Sequence, residues 1–287
     1  LYIEGQHYTT DNHDRIIPSD DITQMVEDEK GRVWIATRSN GLLMAETAAD
    51  GSVSFTQMLC RERNEMTQQD LCIDPATGWL YVATSNGLYR ADTKKELISD
   101  ADFRNYNAQQ GRLSANDLRC VLCDDGGRLW VGTDTRGVSI CTFDADGNLQ
   151  DEQRIDKNNG LGSNTVKAIM MQAGYVWVST TSWITRINLT TEGKTRFEFG
   201  RYRLPVAYSE NSVLLLPDGR LAFGTNNGLL LIAQQATPKE TEGNGSRRMP
   251  DVPVSITSIS VNGLSVGGNA DFADQQLCLQ QGSITLS

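Results

Sequence analysis

The sequence predicts an all-β protein, and its composition, its short apolar runs and an internal repeat support this prediction. The 287 residues include 26 glycines. The apolar runs are short and end at Gly, Asp, Asn or Pro, which favours strands joined by tight turns. Stretches with helical spacing are scarce, and the best helix candidate is EMTQQDLCI, residues 65–73.

Five similar segments recur along the chain, and each contains an apolar run followed by Thr. They read GRVWIATRSNG, GWLYVATSNG, GRLWVGTDTRG, GYVWVSTTSW and GRLAFGTNNG. Their threonines are Thr37, Thr84, Thr133, Thr180 and Thr225, which are 47, 49, 47 and 45 residues apart. A further apolar stretch and a turn precede each segment. Self-similarity at this period indicates a repeated supersecondary unit.

Each repeat can be divided into strands. In the first repeat, ITQMVED predicts one strand, RVWIAT the returning strand, LLMAE a third and SFTQML a fourth. Four antiparallel strands in about 40–50 residues are typical of a β-propeller blade. The repeats are centred on Trp34, Tyr81, Trp130, Trp177 and Ala222. Because one blade cannot bury both of its faces alone, the blades are expected to stack.

The repeats resemble the two-component regulator propeller repeat over roughly residues 15–235. In the first copy the resemblance is carried by Asp28, Gly31, Trp34, Thr37 and Gly41. In the third copy it is carried by Asp125, Gly127, Trp130, Thr133 and Gly137. Other copies depart from the pattern: Tyr81 and Ala222 replace Trp, and Trp183 or Ile184 replaces the closing Gly.

A second resemblance predicts the domain boundaries. VPVSITSISVNG, residues 252–263, is similar to the opening strand of the three-tyrosine (YYY) domain that follows such propellers. The segment before it is rich in Pro, Gly and charge, as linkers are. We therefore expect propeller blades over 1–235, a linker over 236–251 and an incomplete, Ig-like β-sandwich domain over 252–287.

The number of blades in the ring has two interpretations. The resemblance implies seven blades, so the five visible repeats are predicted to be part of a seven-bladed ring. A closed five-bladed ring is the alternative, because propellers typically have roughly 4 to 8 blades.

The charge balance argues against nucleic acid as a partner. Lys and Arg number 26 and Asp and Glu number 36, which gives a net charge of −10. Such a chain supplies no clustered cations for binding phosphates. No run of 18 apolar residues occurs, so we expect no membrane segment within this chain.

The candidate catalytic groups favour structural roles. Acidic residues recur at equivalent turns, as turn formers do, whereas a catalytic pair would occur once. These residues are Asp28, Asp74, Asp124, Asp125 and Asp218. The two histidines, His7 and His13, have no nucleophile signature near them. We therefore expect no catalytic residue, no cofactor and no metal.

The cysteines are interpreted as small buried apolar residues. There are six: Cys60, Cys72, Cys120, Cys123, Cys141 and Cys278. Cys120 and Cys123 have redox spacing, but on a strand residues three apart face opposite sides. No group has zinc-ligand spacing. A disulfide remains open, and the sequence does not name its pairing.

The turns between the second and third strands differ most between the copies, and loops of this kind carry binding function. The candidate ligand-binding residues are Arg38, Asn40, Asp134, Arg136, Trp183, Asn226 and Asn227. Arg and Asp can hydrogen-bond to hydroxyl or carboxylate groups, and Trp offers a face on which a sugar ring can stack.

The resemblance implies a non-enzymatic sensor domain of a bacterial hybrid two-component signalling protein. Such a domain would lie in the periplasm, bind an oligosaccharide or a partner, relay the event to a kinase and form a homodimer. The alternatives are a propeller lectin, a glycan-active enzyme and a protein-interaction scaffold.

Overall fold

The computed structural model describes residues 1–3, 6–10, 17–60, 67–111, 113–188, 198–232, 260–261 and 264–265. The chain divides into two compact units, Leu1–Pro205 and Val206–Ser287. The first unit opens with β1 (Tyr2–Ile3) and β2 (Gln6–His7), which pair with each other.

Four antiparallel sheets of four strands each follow in the first unit. The first blade comprises β3 (Ile22–Glu27), β4 (Val33–Thr37), β5 (Leu42–Thr47) and β6 (Val53–Met58). The second comprises β7 (Gln68–Ile73), β8 (Trp79–Thr84), β9 (Gly87–Asp92) and β10 (Arg104–Tyr106). The third comprises β11 (Leu118–Cys123), β12 (Leu129–Thr133), β13 (Val138–Phe143) and β14 (Leu149–Ile155). The fourth comprises β15 (Val166–Gln172), β16 (Tyr175–Thr180), β17 (Trp183–Asn188) and β18 (Glu198–Arg203).

The second unit contains the fifth repeat as a sheet of three described strands, β19 (Tyr208–Leu215), β20 (Leu221–Thr225) and β21 (Gly228–Ile232). A short pair, β22 (Ser260–Val261) and β23 (Leu264–Ser265), comes later. The predicted linker over 236–251 lies outside the described residues. The predicted domain boundaries and the number of blades in the ring therefore remain predictions.

The all-β propeller fold is confirmed, because each predicted repeat forms its own antiparallel sheet in sequence order. The helix candidate over 65–73 is wrong, since Gln68–Ile73 is strand β7. The first four residues of β7 are all buried. The strand therefore lacks the alternation of buried and exposed residues that identifies a half-exposed strand. In the described part of the chain the only helix is a 3₁₀ turn at Asp100–Asp102, and no helix is long and apolar enough to cross a membrane.

The core of the first unit lies between neighbouring blades. The first strands of the four blades, β3, β7, β11 and β15, lie side by side in that order. Trp34 of the first blade and Leu80 of the second are fully buried in one shared cluster. Trp130 of the third blade and Val178 of the fourth share another. Each blade therefore buries its apolar faces against its neighbours, as the repeat pattern predicts.

Candidate ligand-binding face

A repeated threonine organises the turn between the second and third strands of each blade. Its Oγ1 donates a hydrogen bond across the turn to the carbonyl of the residue that closes the turn. These bonds are Thr37 to Gly41 (2.7 Å), Thr84 to Gly87 (2.7 Å), Thr133 to Gly137 (2.8 Å), Thr180 to Trp183 (3.3 Å) and Thr225 to Gly228 (2.9 Å). In four turns a backbone N–H also donates to the threonine oxygen. The threonine is therefore part of the scaffold.

Gly137 shows why glycine closes most of these turns. Its φ is +80°, a left-handed conformation that glycine adopts without strain. A Cβ there would also lie less than 3.0 Å from the carbonyl oxygen of Ile155. The same approach to the fourth strand occurs in the first and second blades, at Gly41 and Gly87.

Each turn is held by the chain segments that connect the blades. The N–H groups of Arg38 and Asp134 donate to the carbonyls of Asp21 and Asp117, at 2.9 and 3.1 Å. Gly137 donates to the carbonyl of Asn164, which precedes the next blade, at 2.9 Å. The turns and the connections therefore meet at one end of the blades. We call this end of the first unit the turn face, formed by residues 38–40, 85–86, 134–136 and 181–183 together with 18–21, 113–117 and 161–165.

Three predicted residues place alternating charges on the turn face. The Arg38 Nε is 2.9 Å from Asp21 Oδ2, and both side chains are exposed. Asp134 Oδ1 lies 3.3 Å from the guanidinium of Arg119, which is also 3.4 Å from Asp117. The Arg136 side chain is exposed, and its backbone N–H donates to Thr133. Exposed charges at a fixed backbone suit the binding of polar ligands.

Asn40 and Trp183 also have packing roles. The Asn40 amide donates to the carbonyl of Pro18 at 2.8 Å, which fixes the connection before the first blade. Trp183 is half-buried, and a Cβ on Gly162 would collide with its ring. The Arg203 guanidinium lies 5.7 Å from the Trp183 ring centroid. Less of the indole is therefore available to a ligand than the sequence alone indicates.

Asn226 and Asn227 belong to the second unit, where they form the equivalent turn. The Asn226 Oδ1 accepts a hydrogen bond from the Ala207 N–H at 2.9 Å. The N–H of Asn227 donates to Thr225. Both side chains are exposed. The structure thus brings the other five predicted residues to one end of the first unit and places these two in a separate body.

Sequence reasoning missed the residues that shape the connections between blades. Asn116 accepts a hydrogen bond from the Ala108 N–H at 2.7 Å, and Asn164 accepts one from Lys157 at 2.9 Å. Before the first blade, Asp20 Oδ1 accepts a hydrogen bond from the Thr10 N–H at 3.1 Å. The recurring Ser-Ala-Asn-Asp, Gly-Ser-Asn-Thr and Pro-Ser-Asp-Asp leads were the available signal.

The recurring turn acids lie at the other end of the blades, where their oxygens are occupied. Asp28 Oδ2 accepts from Arg32 Nε and Trp34 Nε1, at 2.8 and 2.9 Å. Asp124 Oδ2 accepts in the same way from Arg128 and Trp130, at 2.7 and 2.8 Å. The counterpart of Asp28 in the third blade is therefore Asp124, which corrects the assignment to Asp125, an exposed neighbour.

One buried carboxylate has an unusual pKa. Burial raises the pKa of Asp70 to about 7, although hydrogen bonds from the Val121 and Leu71 N–H groups and the Gln24 amide oppose the shift. Asp70 lies on β7, between Gln24 of the first blade and Val121 of the third. It is thus an almost fully buried link between three blades. Among the described residues, no group of three or more His, Cys, Asp or Glu side chains could hold a metal ion.

A comparison with protein families matches two segments of this chain. The two-component regulator propeller model matches residues 16–39 and 112–135, which cover the first two strands of the first and third blades. A search of curated proteins returned no significant match.

The solved structures that this chain resembles have low sequence identity to it. The extracellular domain of BT4673 from B. thetaiotaomicron, described as a one-component system, has a TM-score of 0.55 at 16% identity, over 88% of this chain and 37% of that chain. PorZ, a surface component of the type-IX secretion system of Porphyromonas gingivalis, has a TM-score of 0.52 at 15% identity, over 74% and 32%. The extracellular domain of BT3049 from B. thetaiotaomicron, described as a hybrid two-component system, has a TM-score of 0.39 at 16% identity, over 74% and 39%.

The chain spans less than two-fifths of the length of each of these structures. At this identity the likeness establishes the fold. The two matched segments make the first and third blades similar to two-component regulator propeller repeats.

Proposed function

We propose that this chain is a non-enzymatic sensor domain that lies outside the cytoplasm and binds its ligand at the turn face. The matched repeats are named for two-component regulators, and a solved relative in fold is described as an extracellular domain. These descriptions support a sensory role outside the cytoplasm. We place the domain in the periplasm, within a hybrid two-component protein, as part of the same proposal.

The main support for this proposal is that the turn face combines a constant backbone scaffold with side chains that vary from blade to blade. In the first three blades the turn is tied by its threonine in the same way. The residues that follow the threonine differ, with Arg38 in the first blade, Ser85 in the second and Asp134 in the third. Since their backbone is fixed from both sides, these side chains are presented to a ligand at little entropic cost.

The chemistry of the face suits a polar, hydroxylated ligand. Arg38, Asp21 and Asp134 offer both donors and acceptors on the turn face. Exposed Arg136 adds a guanidinium that can bind a carboxylate in two-point geometry. We therefore propose an oligosaccharide as the ligand, with a carboxylate-bearing sugar as the best match to Arg136.

The absence of catalysis is part of the proposal. The turn acids Asp28 and Asp124 are saturated with hydrogen bonds from Arg and Trp side chains. Asp70, whose pKa is raised, accepts hydrogen bonds from donors in three blades.

We propose that the ligand signal is relayed to a kinase through dimerisation of the domain. Sedimentation with and without ligand would measure this dimerisation.

Calorimetry against a panel of neutral and acidic oligosaccharide fragments tests the proposal. For a ligand that binds, Arg136→Ala is expected to weaken the affinity about tenfold or more, because a charge-assisted pair is lost. Arg201→Ala is the matched control, since Arg201 is exposed on the outermost strand of the fourth blade.

Two results would contradict the proposal. If both variants lost affinity equally, the ligand would bind somewhere other than the turn face. Shortened oligosaccharide products after incubation would instead identify a glycan-active enzyme.

A further inference from the structure

Two cysteines from neighbouring blades lie side by side near the ends of their innermost strands. Cys72 lies on β7 of the second blade, and Cys123 ends β11 of the third. Their Sγ atoms are 3.3 Å apart, although the residues are separated by 51 positions in the sequence. Both side chains are only half-buried, so a small oxidant can approach them from solvent.

The equivalent positions of the adjacent blade interfaces hold aliphatic side chains. Val26 and Cys72 both lie two residues before the turn aspartate of their blade, and Ile73 and Cys123 both lie one residue before it. Val26 and Ile73 pack against the cluster between the first and second blades. At the interface of the third and fourth blades the packed residues are Leu122 and Met171. Only the middle interface of these three has a thiol from each side.

We propose that Cys72 and Cys123 form a redox pair that closes into an inter-blade disulfide when it meets a disulfide oxidant. The oxidant is a small-molecule disulfide or an oxidised dithiol protein. This inference does not depend on the ligand of the turn face, because the pair lies at the opposite end of the strands, next to the turn acids.

The reaction is thiol–disulfide exchange in two steps. The thiolate of one cysteine attacks the disulfide of the oxidant, forms a mixed disulfide and releases the first sulfur of the oxidant. The thiolate of the other cysteine then attacks the mixed disulfide and releases the second sulfur. Two electrons pass from the cysteines to the oxidant, and the two protons end on its two thiols.

The surroundings disfavour Cys72 as the first attacking group. Burial raises the pKa of the Cys72 thiol, and the adjacent Cys123 adds to the shift, so the Cys72 thiolate is disfavoured at neutral pH. Cys72 then resolves the mixed disulfide, for which the sulfurs must approach from 3.3 Å to a bonded distance of about 2.05 Å. Cys120 does not compete, because it packs on the other face of β11 against the fourth blade.

Closure would add a covalent bond between two innermost strands that are otherwise joined by packing and by the hydrogen bond from the Val121 N–H to Asp70. A bond between residues 51 positions apart restricts the unfolded chain, and this raises the stability of the oxidised protein. We expect the melting temperature of the oxidised form to exceed that of the reduced form by on the order of 5–10 °C.

The experiment oxidises the full chain with glutathione disulfide in a Cys60→Ser background, which removes an exposed thiol. Alkylation under denaturing conditions and peptide mass spectrometry then map the product. The expected result is one linked peptide pair that contains Cys72 and Cys123, with a higher melting temperature that dithiothreitol reverses.

The control is the double variant Cys72→Val and Cys123→Ile, which reproduces the aliphatic pair of the neighbouring interface. It should fold, and its melting temperature should be the same with and without oxidant. Alkylatable thiols at both positions after oxidation, a glutathione adduct that persists on Cys123, or a link from either cysteine to another partner would each overturn the proposal.

Discussion

At the scale of single residues, the Asp124 carboxylate shows how the repeat motif stabilises the turn between the first and second strands of a blade. Its Oδ1 accepts from the N–H groups of Gly126 and Arg128, both at 2.9 Å. Its Oδ2 accepts from the Arg128 guanidinium and the Trp130 indole. One buried side chain thus shapes the turn, neutralises an arginine and satisfies the buried indole N–H. The pattern Asp-x-x-Gly-Arg-x-Trp is a hydrogen-bonding unit.

Replacing this carboxylate by an amide is expected to destabilise the protein strongly. Asp124→Asn brings an NH₂ group against donors that need an acceptor, so the loss should be about 2–4 kcal/mol. Asp125→Asn is the control, because Asp125 is exposed in the same turn and should change stability by no more than about 0.5 kcal/mol. Urea unfolding with unchanged slope measures both, and equal midpoints would contradict the assigned role.

Gly137 allows the cost of close approach to be separated from the cost of backbone conformation. Gly137→Ala meets both a positive φ and the carbonyl of Ile155. Gly127→Ala meets a positive φ of +73° but no atom within 4 Å. We expect a loss of about 1 kcal/mol for Gly127→Ala and about 3 kcal/mol or more for Gly137→Ala. Thermal unfolding of the two variants tests this, and similar losses would show that the turn moves to accommodate the methyl group.

At the scale of elements, β7 is linked to both neighbouring blades through one side chain. Asp70 accepts from the Gln24 amide of β3 at 3.3 Å and from the Val121 N–H of β11 at 2.9 Å. Burial and the Asp70 carboxylate both raise the pKa values of the Cys72 and Cys120 thiols. The innermost strands are therefore joined by hydrogen bonds as well as by apolar contact.

The raised pKa of Asp70 predicts an unusual pH dependence. In the unfolded chain the carboxyl ionises near its ordinary pKa of 3.8, and in the folded chain near 7. Between these values the folded state binds the extra proton, so stability is greatest at the acid end of this window and falls as pH rises towards 7. The fall should amount to a few kcal/mol at most, at about 1.4 kcal/mol per unit of pKa shift.

Urea unfolding of the native chain and of Asp70→Asn at several pH values between about 4 and 7 measures this effect. The amide does not titrate, so the difference between the two proteins should shrink or reverse as pH rises. A difference that is constant across the window would show that Asp70 keeps an ordinary pKa.

At the scale of the whole molecule, charge limits the choice of partners. The net charge is −10, and the cations that the structure describes at the turn face are interleaved with Asp side chains. This arrangement favours a ligand that uses donors and acceptors together over a polyanion that needs a continuous positive surface.

We therefore expect no saturable binding to duplex DNA. Fluorescence anisotropy of a labelled duplex should stay unchanged with added protein at about 150 mM salt, because there are too few clustered cations to release counterions. Micromolar binding that weakens steeply as salt rises would contradict this expectation and identify a basic surface.

Much of the fold could be predicted because its information is local. The repeat, the strand pattern and the turn residues are all contained within some 45–49 positions, which is the spacing of Thr37, Thr84, Thr133, Thr180 and Thr225. Strand β7 is the exception, because burial on both faces removes the alternation that marks a strand.

The candidate site was predictable only in part. The turns that carry Arg38, Asp134 and Arg136 were identified from their variation between copies. Two contacts could not be predicted in this way: the hydrogen bond from Asn40 to Pro18 and the packing of Trp183 on Gly162. Each of them joins a turn to a segment about 20 positions away.

Local sequence patterns are enough to predict that the chain is built from repeated antiparallel units, since turn chemistry and apolar periodicity act within each repeat. Which side chains meet across the blades depends on tertiary packing. Cys72 meets Cys123, and Asp70 joins β3 to β11, because stacking brings together residues some 50 positions apart. The apolar pattern of a strand indicates that one of its faces is buried, but the residues that pack against that face belong to the neighbouring blade.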